Sequence, residues 1–339
     1  MSGLPAKQPF KAALLLLLGT VGWGLSFPTM KALELSQRQL LPGDSSWFFT
    51  SISVAVRFGF AGIVVLLFSW RTLRSLTRNE FLQGAGLALF GSAGLLLQMD
   101  GLVYTAASTS AFLTQCYCLI IPLIVAFRTR SLPSPVIFIG SLMVATGVAV
   151  LARFDWHATR LGRGELETLL ASLFFTGQIL WLERPRFAGN NINHMTVVMF
   201  FLSALCALPV VLFSTAHIQN LGAALFAPAP MVLLGILTLI CTLGSYVIMN
   251  YWQPHLEASQ AGLIYCVEPV FASVFALFLP GWFSQLAAIS YGNEVVTREL
   301  LLGGGLISTA NVLILIDAAR RKPVARAYTS QVPAKSTHS

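Results

Sequence analysis

Ten apolar stretches, nearly free of charge, follow one another along this 339-residue chain and constrain everything else about it. They fall near residues 10 to 32, 47 to 70, 81 to 103, 107 to 127, 135 to 152, 165 to 183, 195 to 215, 229 to 252, 257 to 279 and 299 to 318. A helix rising ~1.5 Å per residue needs about 20 mostly apolar residues to cross the hydrocarbon layer, the length of these runs. The runs are continuous rather than alternating. In lipid every backbone group must be satisfied within its own segment, so the pattern selects helices over barrel strands. Composition agrees: 56% of residues are hydrophobic and 10% charged, against roughly 25% charged in soluble domains. The expected fold is an all-α integral membrane protein with ten transmembrane helices.

A formal net charge of +8 suggests nucleic acid at first sight. The basic residues, however, form short clusters between apolar runs and mark no single face, so topology accounts for them and no nucleic-acid partner is expected. One set of loops and ends holds Lys7, Lys11, Arg71, Arg74, Arg78, Arg128, Arg130, Arg184, Arg186, Arg320, Arg321, Lys322, Arg326 and Lys335. The other holds only Lys31, Arg38, Arg153, Arg160, Arg163 and Arg298. Cytoplasmic loops carry the excess, which predicts cytoplasmic termini on both sides of a multi-pass protein of the cell (inner) membrane and a polar basic tail over 319-339. Lys7 and Lys11 ahead of an apolar run resemble a secretory leader, but no clean small-residue cleavage site follows, and the run continues to about Met30 as a retained span. All five cysteines, Cys116, Cys118, Cys206, Cys241 and Cys266, fall inside apolar runs, where a thiol acts as a small hydrophobe. His157, His194, His217, His255 and His338 fall at loops or ends, so neither metal nor any other cofactor is expected.

An internal repeat overlies the spans. TAASTSAFLTQCYCLIIP (Thr105 to Pro122) aligns with LEASQAGLIYCVEPVFAS (Leu256 to Ser273) at an offset of 151 residues, placing Ala107-Ser108 on Ala258-Ser259 and Tyr117-Cys118 on Glu268-Pro269. Trp23 falls close to Phe175 in the same scheme. Five spans per copy is an odd number, so the second copy enters the membrane upside down. The expected units are 10-153 and 164-318, two inverted five-helix repeats.

Ionisable side chains inside hydrocarbon cost at least ~2.5 kcal/mol on insertion scales and usually face a cavity or a partner. Arg57 and Glu268 are the two that sit near mid-depth, placed either to meet substrate or couple protons, or to lock the bundle by pairing with each other or with backbone. On a helix Ala261, Tyr265 and Glu268 share a face, as do their repeat mates Ser110, Thr114 and Tyr117. The two faces are expected to oppose each other across a substrate path, the alternative being plain helix packing. Trp23 is a further pathway candidate. Gln98, Gln115, Gln178, Asn250 and Asn311 read as hydrogen-bond links between helices.

Four stretches together resemble the drug/metabolite transporter superfamily, EamA type. They are Trp23-Gly24 with Phe27 and Lys31, Arg57-Phe58, the turn from Gly101 through Tyr104-Thr105 to Ala107, and Glu268-Pro269-Val270-Phe271. The likeness runs from about residue 12 to 318. Phe127-Arg128 stands where that family often has Gly-Glu, Cys118 replaces a proline, and Pro280 to Tyr291 looks like an insertion lying along the membrane surface. The resemblance implies a ten-helix secondary carrier exporting amino acids or related small polar metabolites. No Gly-x-x-x-x-Gly-Lys-Ser/Thr loop is present for ATP hydrolysis in cis, so a proton gradient or an exchanged solute would supply the coupling. The competing class, a membrane-embedded enzyme acting on a lipid or prenyl substrate, would need a His-Glu-x-x-His or aspartate-rich cluster that the chain lacks.

Overall fold

In the computed structural model the described residues are 9–104, 110, 113–151, 162–214 and 221–320. Thr105 to Ala107, Arg153, Arg160, His157, His217 and residues 321–339 of the basic tail lie outside them. The long helices are α1 (Pro9–Leu40), α2 (Ser46–Ser69), α3 (Arg78–Tyr104), α4 (Tyr117–Thr129), α5 (Pro135–Leu151), α6 (Arg163–Leu182) and α7 (Ile192–Ser214). A short α8 (Leu221–Phe226) precedes α9 (Pro228–Ile236), which runs through a π-helical stretch, Leu237–Gly244, into α10 (Ser245–Trp252). The chain ends in α11 (Ala258–Tyr265), α12 (Glu268–Ala276), α13 (Leu279–Ala287) and α14 (Arg298–Arg320). No strand occurs among the described residues.

Six segments are long and apolar enough to cross a membrane by themselves: α1, α2, α3, α7, Pro228–His255 and Ala258–Ala276. With α4, α5, α6 and α14 the described helices follow the ten expected spans. Helix α1 continues to Leu40, beyond the expected end at 32, because Lys31, Glu34 and Arg38 add a polar turn outside the apolar run, closed by an Arg38–Glu34 ion pair at 2.7 Å.

Helix starts are set by side-chain caps. Ser45 accepts the Phe48 N–H at 3.2 Å ahead of α2. Before α3, Glu80 accepts the Thr77 N–H at 2.8 Å while Thr77 Oγ1 accepts the Glu80 N–H at 3.3 Å. Glu257 and Gln260 form the same reciprocal box before α11. Each satisfies amide groups that have no partner inside the helix.

The side chains point the opposite way from those of a water-soluble bundle. Phe68, Phe127 and Phe213 are 88%, 85% and 92% exposed, while Arg57, Asp100 and Gln253 are buried. A large apolar exterior around a polar interior fits lipid as the solvent. Inside, the main neighbours obey one exchange rule. Helix α2 packs on α7, and α5 on α14; α3 packs on α6 as α1 does on α9–α10; α3 meets α7 as α2 meets the π-helical stretch; α4 meets α6 as α1 meets α11 and α12. Swapping every span for the one five places away carries the first two contacts onto themselves and each of the others onto its counterpart.

Small residues let the helices approach. A Cβ on Gly84 would lie 2.5 Å from the Met195 carbonyl oxygen and 2.7 Å from Val198 Cβ, so α3 and α7 touch through backbone there. Gly84→Ala should destabilise the protein by about 1–3 kcal/mol through overpacking, read as a lower melting temperature in detergent. Gly235→Ala, where nothing lies within 4 Å, should leave it unchanged or slightly higher.

Candidate functional site: a cavity at the centre of the bundle

Two membrane-buried spans are broken at corresponding places. In the ninth span α11 stops at Tyr265 and α12 begins at Glu268, with Pro269 removing an amide donor. There the Val267 N–H turns to the Ile264 carbonyl at 3.2 Å, and Val270 and Phe271 both donate to Val267, at 3.0 and 3.3 Å. In the fourth span Cys116 donates to Leu113 at 3.2 Å, and Leu119 and Ile120 both donate to Cys116, at 3.1 and 3.2 Å. Every member of the second set is its counterpart in the first displaced by 151 residues. The fourth span makes the break with Cys118 where the ninth has Pro269, so proline is not its cause.

These breaks aim side chains into a cavity with about 570 Å³ of free space, its open part included. Trp23 and Ser26 come from α1, Arg57 from α2, Gln98 from α3, Thr114 and Tyr117 from the fourth-span break, and Tyr265 and Glu268 from the ninth. Six of the seven residues singled out from sequence therefore meet here: Trp23, Arg57, Thr114, Tyr117, Tyr265 and Glu268. Ser110 does not. It is fully buried with its hydroxyl 3.2 Å from Thr168 Oγ1, and its carbonyl accepts the Thr114 hydroxyl at 2.8 Å. It lies one turn before Thr114, where α6 closes on the fourth span. Ala261 is likewise buried outside the cavity lining. The two expected faces thus contribute their break-proximal residues, and the turns beyond are packing.

Arg57 is 2% exposed, with Nε donating to Thr242 Oγ1 at 3.0 Å and Nη1 lying 4.0 Å from Met99 Sδ. Thr242 belongs to the π-helical stretch, whose extra residue per turn turns it toward α2. Glu268 is 9% exposed, with the Gln115 side-chain amide beside it. Neither Arg57 nor Glu268 takes part in an ion pair among the described residues. The expected alternative, in which they lock the bundle by pairing with each other, is not the arrangement seen.

Aromatic rings complete the wall. Trp23 stands edge-on to Tyr246, centroids 5.5 Å apart, and to Tyr265 at 5.2 Å, with its indole N–H unpartnered. Tyr265 donates its hydroxyl to Gln253 Oε1 at 2.9 Å, and Gln253 in turn donates to the Ile179 carbonyl at 2.9 Å. Phe175, next to the repeat position of Trp23, lines the cavity from α6.

Gln98, Gln178 and Tyr246 also line it. The two glutamines read from sequence as interhelical links. Gln98 does donate to Thr114 Oγ1 at 3.0 Å, but the buried Gln178 Nε2 has no partner. The signal for both was their polarity at mid-span. Tyr246 gave none, because only the π-helical register turns it inward. Asn250 donates across to Thr196 Oγ1 at 3.0 Å, and Asn311 bonds only to its own helix, at Ile307 O.

Polar clusters sit beyond the cavity at either end. Asp100, near the end of α3, is fully buried and held by Arg163, which also donates to the Tyr104 hydroxyl at 3.0 Å. At the opposite end of α3 Glu80 accepts the Asn191 N–H at 2.9 Å and lies 3.0 Å from His194 Nδ1. His194 is thus buried at a helix end, in the first turn of α7. Among the described residues no three His, Cys, Asp or Glu side chains are grouped to hold a metal ion. In the inserted segment Phe283 is buried while Trp282 is half exposed, and Asn293 accepts the Gly281 N–H at 2.6 Å to fold the segment back.

Comparison with known proteins adds a family. Residues 10–153 match the model of the EamA-like transporter family. An uncharacterized transporter of Archaeoglobus fulgidus is 23% identical over 295 residues, 86% of this chain and 82% of the relative. A solved crystal structure shares the fold with a TM-score of 0.65 over 91% of this chain and 98% of that one, at 17% identity. The apolar helices around a polar interior are those of a multi-pass membrane protein, and its first five spans are similar to the EamA-like transporter family.

Proposed function

We propose that this chain is a secondary carrier moving small polar organic solutes, amino acids or related metabolites, out of the cell by alternating access. The observation that carries the reading is the central cavity. It offers one buried cation, Arg57, and one buried carboxyl, Glu268, outside any ion pair among the described residues and within reach of a common occupant. Leaving ionisable groups in hydrocarbon without partners is costly, and a solute bearing complementary groups would satisfy them. Around them Trp23, Tyr117, Tyr246 and Tyr265 supply π faces for the rest of the solute.

The alternating motion would rest on residues 10-153 and 164-318 acting as two inverted repeats that rock about the paired breaks of the fourth and ninth spans. The exchange rule among helix neighbours and the 151-residue correspondence of the irregular hydrogen bonds support that division. Glu268 is the group placed to carry a coupled proton, since a carboxyl can enter the membrane interior in neutral form. The loop basic residues favour cytoplasmic termini and the cell membrane.

Proteoliposomes preloaded with a mixture of amino acids and related metabolites should show counterflow of at least one solute, faster with an imposed pH gradient. Glu268→Gln and Arg57→Met should each lower the initial rate about tenfold or more, equivalent to ~1.4 kcal/mol, and Tyr117→Phe should lower it measurably. Unchanged rates in Glu268→Gln and Tyr117→Phe would remove the cavity assignment. Reporter fusions should place both termini in the cytoplasm, and a terminus found outside would reverse the topology.

A further inference from the structure

A second cavity, with about 320 Å³ of free space, lies between α1, α2 and α3. It stacks on the central one along these three helices. Met30 and Lys31 follow Ser26 on α1, Thr50 and Ser53 precede Arg57 on α2, and Met99 follows Gln98 on α3. The steps are four to seven residues on α1 and α2 and a single residue on α3, at ~1.5 Å of rise per residue, and always toward the same end of the bundle. Met99 stands at the boundary: it lines the end cavity while its sulfur lies against the Arg57 guanidinium of the central one.

The wall of this end cavity is cationic. Lys31 Nζ makes one long hydrogen bond, 3.4 Å to the Leu102 carbonyl, although an ammonium has three donors. Glu34, the acid in the same wall, is held by Arg38 at 2.7 Å. Gln37 is fully buried; its Nε2 donates to the Ala224 carbonyl at 3.0 Å, and its Oε1 has no hydrogen-bond donor. The site thus presents an under-used ammonium and an unfilled buried acceptor six residues apart on α1, in a wall that reaches Arg57 through Met99.

We infer that the end cavity is a second binding site on the transport path, where the anionic group of the solute, released by Arg57, is received by Lys31 as the Met99 side chain moves aside. The inference rests on the carrier reading above. The ligand class is a small polar organic solute with a carboxylate or other anionic group at Lys31 and a hydrogen-bond donor for Gln37 Oε1. Methionine suits the boundary because its unbranched thioether can change rotamer without leaving a polar atom stranded.

The test needs no knowledge of the solute. Ser53→Cys places a thiol in the wall of the end cavity, and membrane-impermeant methanethiosulfonates are the probes, one carrying a sulfonate and one a trimethylammonium. Mass spectrometry of the peptide holding position 53 separates its labelling from that of the native cysteines. With rates normalised to free cysteine, the sulfonate reagent should react about tenfold faster than the cationic one, and adding Lys31→Met should abolish the difference. Met99→Trp should leave labelling at position 53 intact but stop labelling of Ser26→Cys, in the central cavity, from the same membrane face. Equal normalised rates, a preference that survives Lys31→Met, or unhindered labelling of Ser26→Cys behind Met99→Trp would each overturn the inference. Thr50→Cys, in the same wall, repeats the measurement if Ser53→Cys does not fold, and silence at both positions also overturns it. Solute counterflow without labelling at these positions would sink the end site and leave the carrier standing. Labelling as described with no solute movement would do the reverse.

Discussion

Hydrocarbon offers a peptide group no hydrogen-bond partner, and the rest of this structure depends on that fact. It forces ten helices and dictates which parts of them are regular. Among the described residues the breaks at Cys116 and Cys266–Val267 adjoin residues that line the central cavity, and the π-helical Leu237–Gly244 turns Thr242 to Arg57 on one side while Leu239 and Ile240 stay exposed on the other. There, locally tightened or widened bonding keeps the amides satisfied while redirecting side chains that a regular helix would leave packed. Thr242, and through it the buried Arg57, is placed in this way.

Much of the fold was legible in the chain because hydrophobic length is a crude but strong signal. The ten runs could be read by composition, and the repeat from a few identities, since Ala107-Ser108 recurs as Ala258-Ser259 at the offset that sets Tyr117-Cys118 on Glu268-Pro269. The cavity was legible in part. Arg57 and Glu268 stood out because charge at mid-span is conspicuous, and Tyr117 and Tyr265 followed from the repeat. Ser110 was read onto the same face because a continuous helix was assumed, whereas the break after Thr114 sends only the residues beside it inward.

What escaped the sequence shares a physical cause. A π-helical stretch needs no special composition, so LTLICTLG looks like any apolar helix and the inward turn of Tyr246 leaves no mark. Buried polar groups that look like helix-to-helix links can as well be cavity walls, and Gln98 and Gln178 differ from Asn250 only in what the opposing helix presents. His194 and Asp100 sit at or near helix ends, and their burial against partners on other helices, Glu80 and Arg163, is what hydropathy does not show.

The matched breaks of the fourth and ninth spans carry a consequence for energetics. Their hydrogen bonds superimpose at a fixed offset, but the residues that open the following helices do not: a phenol, Tyr117, on one side and a carboxyl, Glu268, on the other. Under the proposed carrier motion the two breaks would hinge on nearly the same backbone pattern, with one amide fewer at Pro269, so what distinguishes them would lie chiefly in the side chains, a phenol against a carboxyl.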